Sequence, residues 1–284
     1  ATMVVLFLVA VLSLLRIYLH RTLADFQRSH GRITTANYNA VQTIWGAEQT
    51  QSELGVENFF EEEVSERIEF QDITKPALTR KKTVRHVIPA NPFLSPHHEV
   101  TLRQNPRRKG SALYVGYETA CRFTWRLRNP AGRDVHSIVT FPLPASGAMY
   151  DEITATLDGR DVLPQMQLKD SALVLNRDLK PDEAFDLCIA FTSRGMSYWY
   201  FQVREAREIR DFSLTLNLPD LPVSKLNYPE GCMTPTKIEP TNRDQGCLVS
   251  YRLDHAISNK GMGISLPSLP QPGETTRAVL GEVE

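Results

Sequence analysis

ALYVGYETACRFTWRLR, residues 112–128, alternates apolar and polar side chains over most of its length and stops at the turn Asn129-Pro130-Ala131-Gly132. In an extended chain successive side chains point to opposite faces, so this alternation makes one apolar face and one polar face. A strand of that kind belongs to a sheet with one side in a core and one side in water. The same pattern recurs on the C-terminal side in HSIVTFPLP (136–144), EITATLDGRDV (152–162), ALVLNRDL (172–179) and FDLCIAFTSRG (185–195). It continues in YWYFQVR (198–204), FSLTLNLP (212–219), TPTKIEP (234–240), CLVSYRL (247–253) and MGISLP (262–267). Asp158-Gly159 and Lys180-Pro181-Asp182 supply turn chemistry between these runs. About ten short strands separated by turns predict a mainly β fold, an antiparallel β-sandwich over residues 111–273, followed by a tail at 274–284.

On the N-terminal side the period changes. Residues 55–75 are acidic. Residues 76–110 are rich in basic residues and carry Pro76, Pro89, Pro92, Pro96 and Pro106, which exclude a long helix, so 55–110 as a whole reads as an extended connector contributing edge strands. Residues 21–54 hold Ile33, Val41, Ile44 and Trp45 at roughly helical spacing, with Gly31 and Gly46 as the strong breakers, and read as a helical neck. Ahead of the neck stands ATMVVLFLVAVLSLLRIYLH, residues 1–20, in which only Ser13 is polar between Met3 and Leu15. A spanning helix needs about 20 apolar residues; Ile17, Tyr18 and Leu19, with Arg16 snorkelling, bring the segment near that length. A signal peptide and a buried core helix are the competing readings. The basic n-region and small-x-small cleavage site of a signal peptide are not visible, so a transmembrane helix over 1–20 is the expectation. Arg16, Arg21, Arg28 and Arg32 on its flank favour a cytoplasmic domain by the positive-inside rule.

The composition limits the functional classes. Basic and acidic residues number 32 and 33, so nucleic acid is not the expected partner. The short clusters Arg80-Lys81-Lys82 and Arg107-Arg108-Lys109 are offset by Glu61-Glu62-Glu63. They read as solvated faces, or as contacts with anionic lipid or a protein partner. Phosphate-cradling, dinucleotide, nucleophile-elbow and zinc-protease motifs are missing, and no cofactor is expected. The best metal-like cluster is His97-His98-Glu99, with His86 and His136 as conceivable further ligands; in a strand His97 and Glu99 share a face that His98 does not. The run Asn58-Phe59-Phe60-Glu61-Glu62-Glu63 lacks the spaced ligands of a calcium loop. Cys232 and Cys247 flank a turn-rich segment between two strand-like runs and are either a cross-strand disulfide or two free thiols. Cys121 and Cys188 sit in apolar runs and read as buried thiols. In Tyr198-Trp199-Tyr200-Phe201, one alternate pair fills a core, and the other is either covered or forms an aromatic platform for a glycan or protein.

The order of elements, with Trp45-Gly46-x-x-Gln49 closing the helical stretch, resembles the CreD-type inner-membrane family of bacteria. The segment Asn105-Pro106-Arg107-Arg108-Lys109-Gly110 with Tyr114 and Tyr117, the run Tyr228 to Thr236, and Leu266-Pro267 through Pro272-Gly273 carry the same resemblance. It implies a β domain on the periplasmic side, against the arginine flank, and an envelope role without an active site. The resulting expectation is a membrane-anchored structural or interaction protein of the bacterial inner membrane, with the lipid bilayer and other membrane subunits as partners. A ligand- or glycan-binding sensory module built on Tyr198–Phe201 is the second reading, and a metal-dependent hydrolase the third.

Overall fold

A computed structural model of the protein describes residues 15–22, 32–33, 35–68, 78–90, 95–110, 112–241 and 243–269. Residues 15–22 and 35–45 are helical. Strands then follow as β1 (Gln49–Ser52), β2 (Gly55–Ile68), β3 (Leu78–Ile88), β4 (His97–Gln104), β5 (Arg107–Lys109), β6 (Ala112–Tyr114) and β7 (Gly116–Arg128). Next come β8 (Val135–Pro142), β9 (Tyr150–Leu157), β10 (Arg160–Asp161), β11 (Gln167–Lys169), β12 (Ala172–Leu179) and β13 (Ala184–Met196). The last are β14 (Tyr198–Gln202), β15 (Arg207–Leu218), β16 (Lys237–Thr241), β17 (Gly246–Ser258) and β18 (Met262–Ser265).

Two large sheets face each other. One has the order β10-β9-β13-β7-β4-β15-β17-β16 and the other β11-β12-β8-β2-β3. The inner residues of β7 and β8 alternate with outer ones as a half-buried strand requires. Phe123 and Trp125 of β7 meet Phe141 of β8 across the gap, with ring centroids 5.6 and 5.7 Å apart. Leu173 and Leu175 of β12, Ile189 and Phe191 of β13, and Leu214 and Leu216 of β15 complete one continuous core. The expected turn at Asp158-Gly159 joins β9 to β10; both residues adopt positive φ, which suits a tight hairpin. A smaller sheet, β1-β14-β18, and the ribbon β5-β6 cap this body.

The molecule departs from the expected antiparallel sandwich in three ways. β4 pairs parallel to β15, and β1 pairs parallel to β14. β4 also falls inside the supposed connector, yet lies between β7 and β15 in the interior of the large sheet. Its inward side chains His98, Val100 and Leu102 are buried. Pro89, Pro96 and Pro106 lie between the strands, so they punctuate that segment without preventing pairing. Finally, the neck ends early. Gly46 breaks the helix at a φ of 146°, where an added Cβ would stand 2.1 Å from the Arg194 carbonyl oxygen. Four polar residues, Gln49–Ser52, then form a strand. Gln49 and Gln51 are fully buried there because Nε2 of Gln49 donates to Ser193 Oγ at 2.8 Å and Nε2 of Gln51 to the Pro142 carbonyl at 2.9 Å.

The 35–45 helix is seated on the sandwich. Val41, Tyr38 and Trp45 pack against Tyr114, Met196 and Ala112. The Tyr38 hydroxyl donates to Glu48 Oε1 at 2.8 Å and lies 2.8 Å from Ser197 Oγ. The Arg107 guanidinium stacks 3.1 Å from the Trp45 ring centre. Residues 1–14, which make up most of the expected membrane helix at 1–20, and the tail 274–284 lie outside the described residues. Among the described residues no helix is long and apolar enough to cross a membrane. β2 has two regimes: Gly55–Phe59 pairs with β8, whereas among the described residues Phe60–Ile68 pairs with β3 alone. That outer half projects from the sandwich as a two-stranded arm.

Candidate ligand-binding cavity

At one end of the sandwich the two sheets separate around a cavity of about 570 Å³. Leu127 of β7 and Phe185 of β13 line it from the large sheet; Val56 and Asn58 of β2, Ser137 of β8 and Leu179 of β12 line it from the small one. Pro89, Ala90 and Pro130 close the apolar wall. The void follows from the register. The inward frame of β8 reads Val135, Ser137, Val139, Phe141, so one small polar side chain stands where the pattern calls for an apolar one. Asn58 lies directly opposite Ser137 in the β2–β8 pairing. Two neighbouring positions that would hold large apolar side chains in a filled core thus hold an amide and a hydroxyl.

Each of these residues is 1% exposed, and Asn58 Oδ1 and Ser137 Oγ have no hydrogen-bond partner among the described residues. An orphaned buried polar atom typically costs about 1–3 kcal/mol, which a ligand or water with the complementary group would remove. The wall beside them is fixed by Asn129. Its amide nitrogen donates to the carbonyls of Arg133 and Lys180 at 2.9 and 2.8 Å, and its Oδ1 accepts from the Ala131 backbone at 2.9 Å. That clamp holds Pro130 in the lining. At the mouth Arg128 pairs with Asp182 at 2.8 Å and Arg126 with Asp186 at 3.8 Å, all well exposed. Exposed pairs of this kind contribute little and exchange partners readily.

A second cavity of about 350 Å³ shares Val56 and Ala90 with the first and is bordered by Glu53, Arg204 and Arg207. Glu53 pairs with Arg207 at 2.7 Å. Burial pushes the Glu53 carboxyl above its ordinary range despite the neighbouring Arg207 and Arg204, and its Oε2 has no hydrogen-bond partner among the described residues. An apolar slot with a few convergent polar atoms is the usual form of a small-molecule site. Ser137 interrupts an apolar frame, and that interruption is the one sequence signal that marks the position.

The residues singled out from the sequence lie elsewhere. Trp199 and Phe201 of β14 are buried in the main core. Tyr198 and Tyr200 face the other way and are half-buried; the Tyr200 ring packs so tightly on Gly261 that an added Cβ there would be 2.2 Å from its hydroxyl. The Tyr198 carbonyl accepts from the Tyr117 hydroxyl at 2.6 Å. Of the two alternatives for Cys232 and Cys247, the structure has the free thiols. The hairpin forms, but its register sets Pro240 opposite Cys247, while Cys232 lies before β16 with its Sγ 3.6 Å from the Tyr251 hydroxyl. His97 Nδ1 lies 2.8 Å from Ser213 Oγ on the outer face of β4, and His98 points into the core. His136 pairs with Asp178 at 2.8 Å, and His86 lies 3.6 Å from Glu62. No three His, Cys, Asp or Glu residues group to hold a metal ion among the described residues.

No family model matches the chain, and no curated protein matches it. Among solved structures, a Legionella pneumophila protein, itself only provisionally described as nutrient binding, is similar over 63% of this chain and 69% of its own. The identity is 14% and the TM-score 0.39.

Proposed function

We propose that the protein is a binding module of the bacterial envelope, taking a small molecule with an apolar body and a neutral hydrogen-bonding group into the cavity between its two sheets. The observation that carries this reading is the pair of orphaned atoms, Asn58 Oδ1 and Ser137 Oγ, on the wall of a 570 Å³ void. Neutral partners suit them because a charge placed there would be desolvated without a counter-ion. The apolar wall of Leu127, Leu179 and Phe185 suits the rest of the ligand. A tether to the inner membrane with the domain on its periplasmic side, next to other membrane subunits, belongs to the same proposal. The apolar run 1–20 and the resemblance to CreD-type proteins support it.

The test is a thermal-shift screen of neutral amides, alcohols and lactams, each compared with a carboxylate and an amine of the same carbon skeleton. It uses the wild type and a Ser137→Leu variant that fills the void. Neutral compounds should raise the wild-type melting temperature and leave the variant unmoved, while the variant alone melts at or above the wild type. Equal shifts in both proteins, or no shift with any compound, overturn the reading. For the tether, the full chain should pellet with membranes and a form lacking residues 1–20 should not.

A further inference from the structure

The arm formed by the outer half of β2 and by β3 serves no core. Residues 61–66 and 80–83 are exposed on both faces of the ribbon, and a two-stranded ribbon has too little to bury to be stable by itself. Among the described residues its two edges are also open. β3 is the last strand of its sheet, and β2 beyond Phe59 has β3 as its only partner among the described residues. Open edges of this length normally invite pairing with another chain.

The charges on the two edges are opposite. Phe60–Ile68 carries four glutamates against one arginine, and Leu78–Ile88 carries four Lys or Arg and a histidine with no acid. Only part of this charge is used inside the arm: Lys81 pairs with Glu63 at 3.1 Å and His86 with Glu62 at 3.6 Å. Glu61, Glu66, Arg80 and Lys82 make no ion pair with another described residue. The base of the arm is anchored, since Arg85 stacks 3.5 Å over the Phe59 ring and bonds to Glu57, and Phe59 meets His136 edge-on.

We infer that the arm is a docking element for a second copy of this chain, in which the basic edge of β3 in one molecule adds antiparallel to the acidic edge of β2 in the next. Two-fold alternatives are disfavoured because β3 on β3 sets basic against basic, and β2 on β2 sets acid against acid. The internal register already places Glu61 opposite Arg85 and Glu66 opposite Arg80. Repeating it between copies gives Glu61 and Glu66 a basic residue directly opposite on both sides. The contact is head-to-tail, so it generates a ring or a chain of copies and does not stop at a dimer.

The experiment uses the full chain in mild detergent and sedimentation velocity across a concentration series. One variant removes the acidic edge (Glu61→Gln, Glu63→Gln, Glu66→Gln) and a second removes the basic edge (Arg80→Gln, Lys81→Gln, Lys82→Gln). All six positions are exposed, so unchanged melting temperatures serve as the folding control. Wild type should grow beyond dimers, and added salt should weaken this. Each variant alone should associate roughly tenfold or more weakly, while an equimolar mixture of the two should form heterodimers and stop there. A wild type that stays monomeric, variants that associate like wild type, or a mixture that behaves like either variant alone overturns the inference.

Discussion

Among the buried polar groups without partners in the described residues, His98 and the pair Asn58 and Ser137 make the sharpest comparison, because the space around them differs. His98 lies in the packed middle, 1% exposed, with its ring 5.1 Å from both Phe123 and Trp125, 5.4 Å from Phe201 and 5.6 Å from Phe212. Neither ring nitrogen has a hydrogen bond among the described residues, and the residue lines neither cavity. Asn58 and Ser137, at the end of the same sandwich, border open volume. An orphan with no room around it is only a stability liability. An orphan with room is a recognition element, because something else can satisfy it.

That contrast can be broken by experiment. The largest effect should come from cutting into the packed region: Phe123→Ala should cost about 3–5 kcal/mol in urea unfolding. Leu127→Ala, on the cavity wall, removes fewer contacts and should cost roughly 2–3 kcal/mol. Equal losses would mean that the two ends are packed alike.

Acid comes next. Burial lowers the His98 pKa from the usual 6.5 to about 3, a shift that the His97 backbone opposes and the His97 charge reinforces. The unfolded chain therefore takes up a proton below pH 6.5 that the folded chain refuses. This histidine's contribution to stability is intact above pH 6.5 and is lost as the pH falls toward 3, by a few kcal/mol in total. His98→Phe should flatten the unfolding midpoint across pH 6.5 to 4. An unchanged slope in that variant would place the acid sensitivity elsewhere.

Smaller changes are expected at the cavity. Asn58→Leu removes an orphan and fills space, so it should raise stability by about 1 kcal/mol and abolish ligand-induced shifts. A gain in stability with ligand shifts retained would separate the orphan from recognition. Smallest of all, Glu63→Gln on the arm breaks an ion pair whose partners are both more than two-thirds exposed. It should move the melting free energy by under about 1 kcal/mol. A larger loss would mean that the arm belongs to the core it leaves behind.

Strand content was legible wherever one face is wet and one is dry: β7, β13 and β15 stand where alternation placed them. β2 was not, because its outer half is wet on both faces and its glutamates erase the period. Nor was β1, whose glutamines look like surface residues until their amide nitrogens meet backbone carbonyls in other strands. The cavity left a single mark, Ser137 in an apolar frame. Asn58 read only as the head of an acidic run, because its opposition to Ser137 is a matter of register.

The local pattern alone determined that this protein is mainly β, with a helix ahead of it and turns at Asp158-Gly159 and Asn129–Gly132, since side-chain period and turn chemistry act over a few residues. Tertiary structure decided which strands meet. Parallel β4–β15 pairing and the meeting of Asn58 with Ser137 depend on register between segments far apart in the chain, and Pro240 opposite Cys247 in place of Cys232 depends on the register of one hairpin. A shift of one residue would have turned every one of those side chains to the other face.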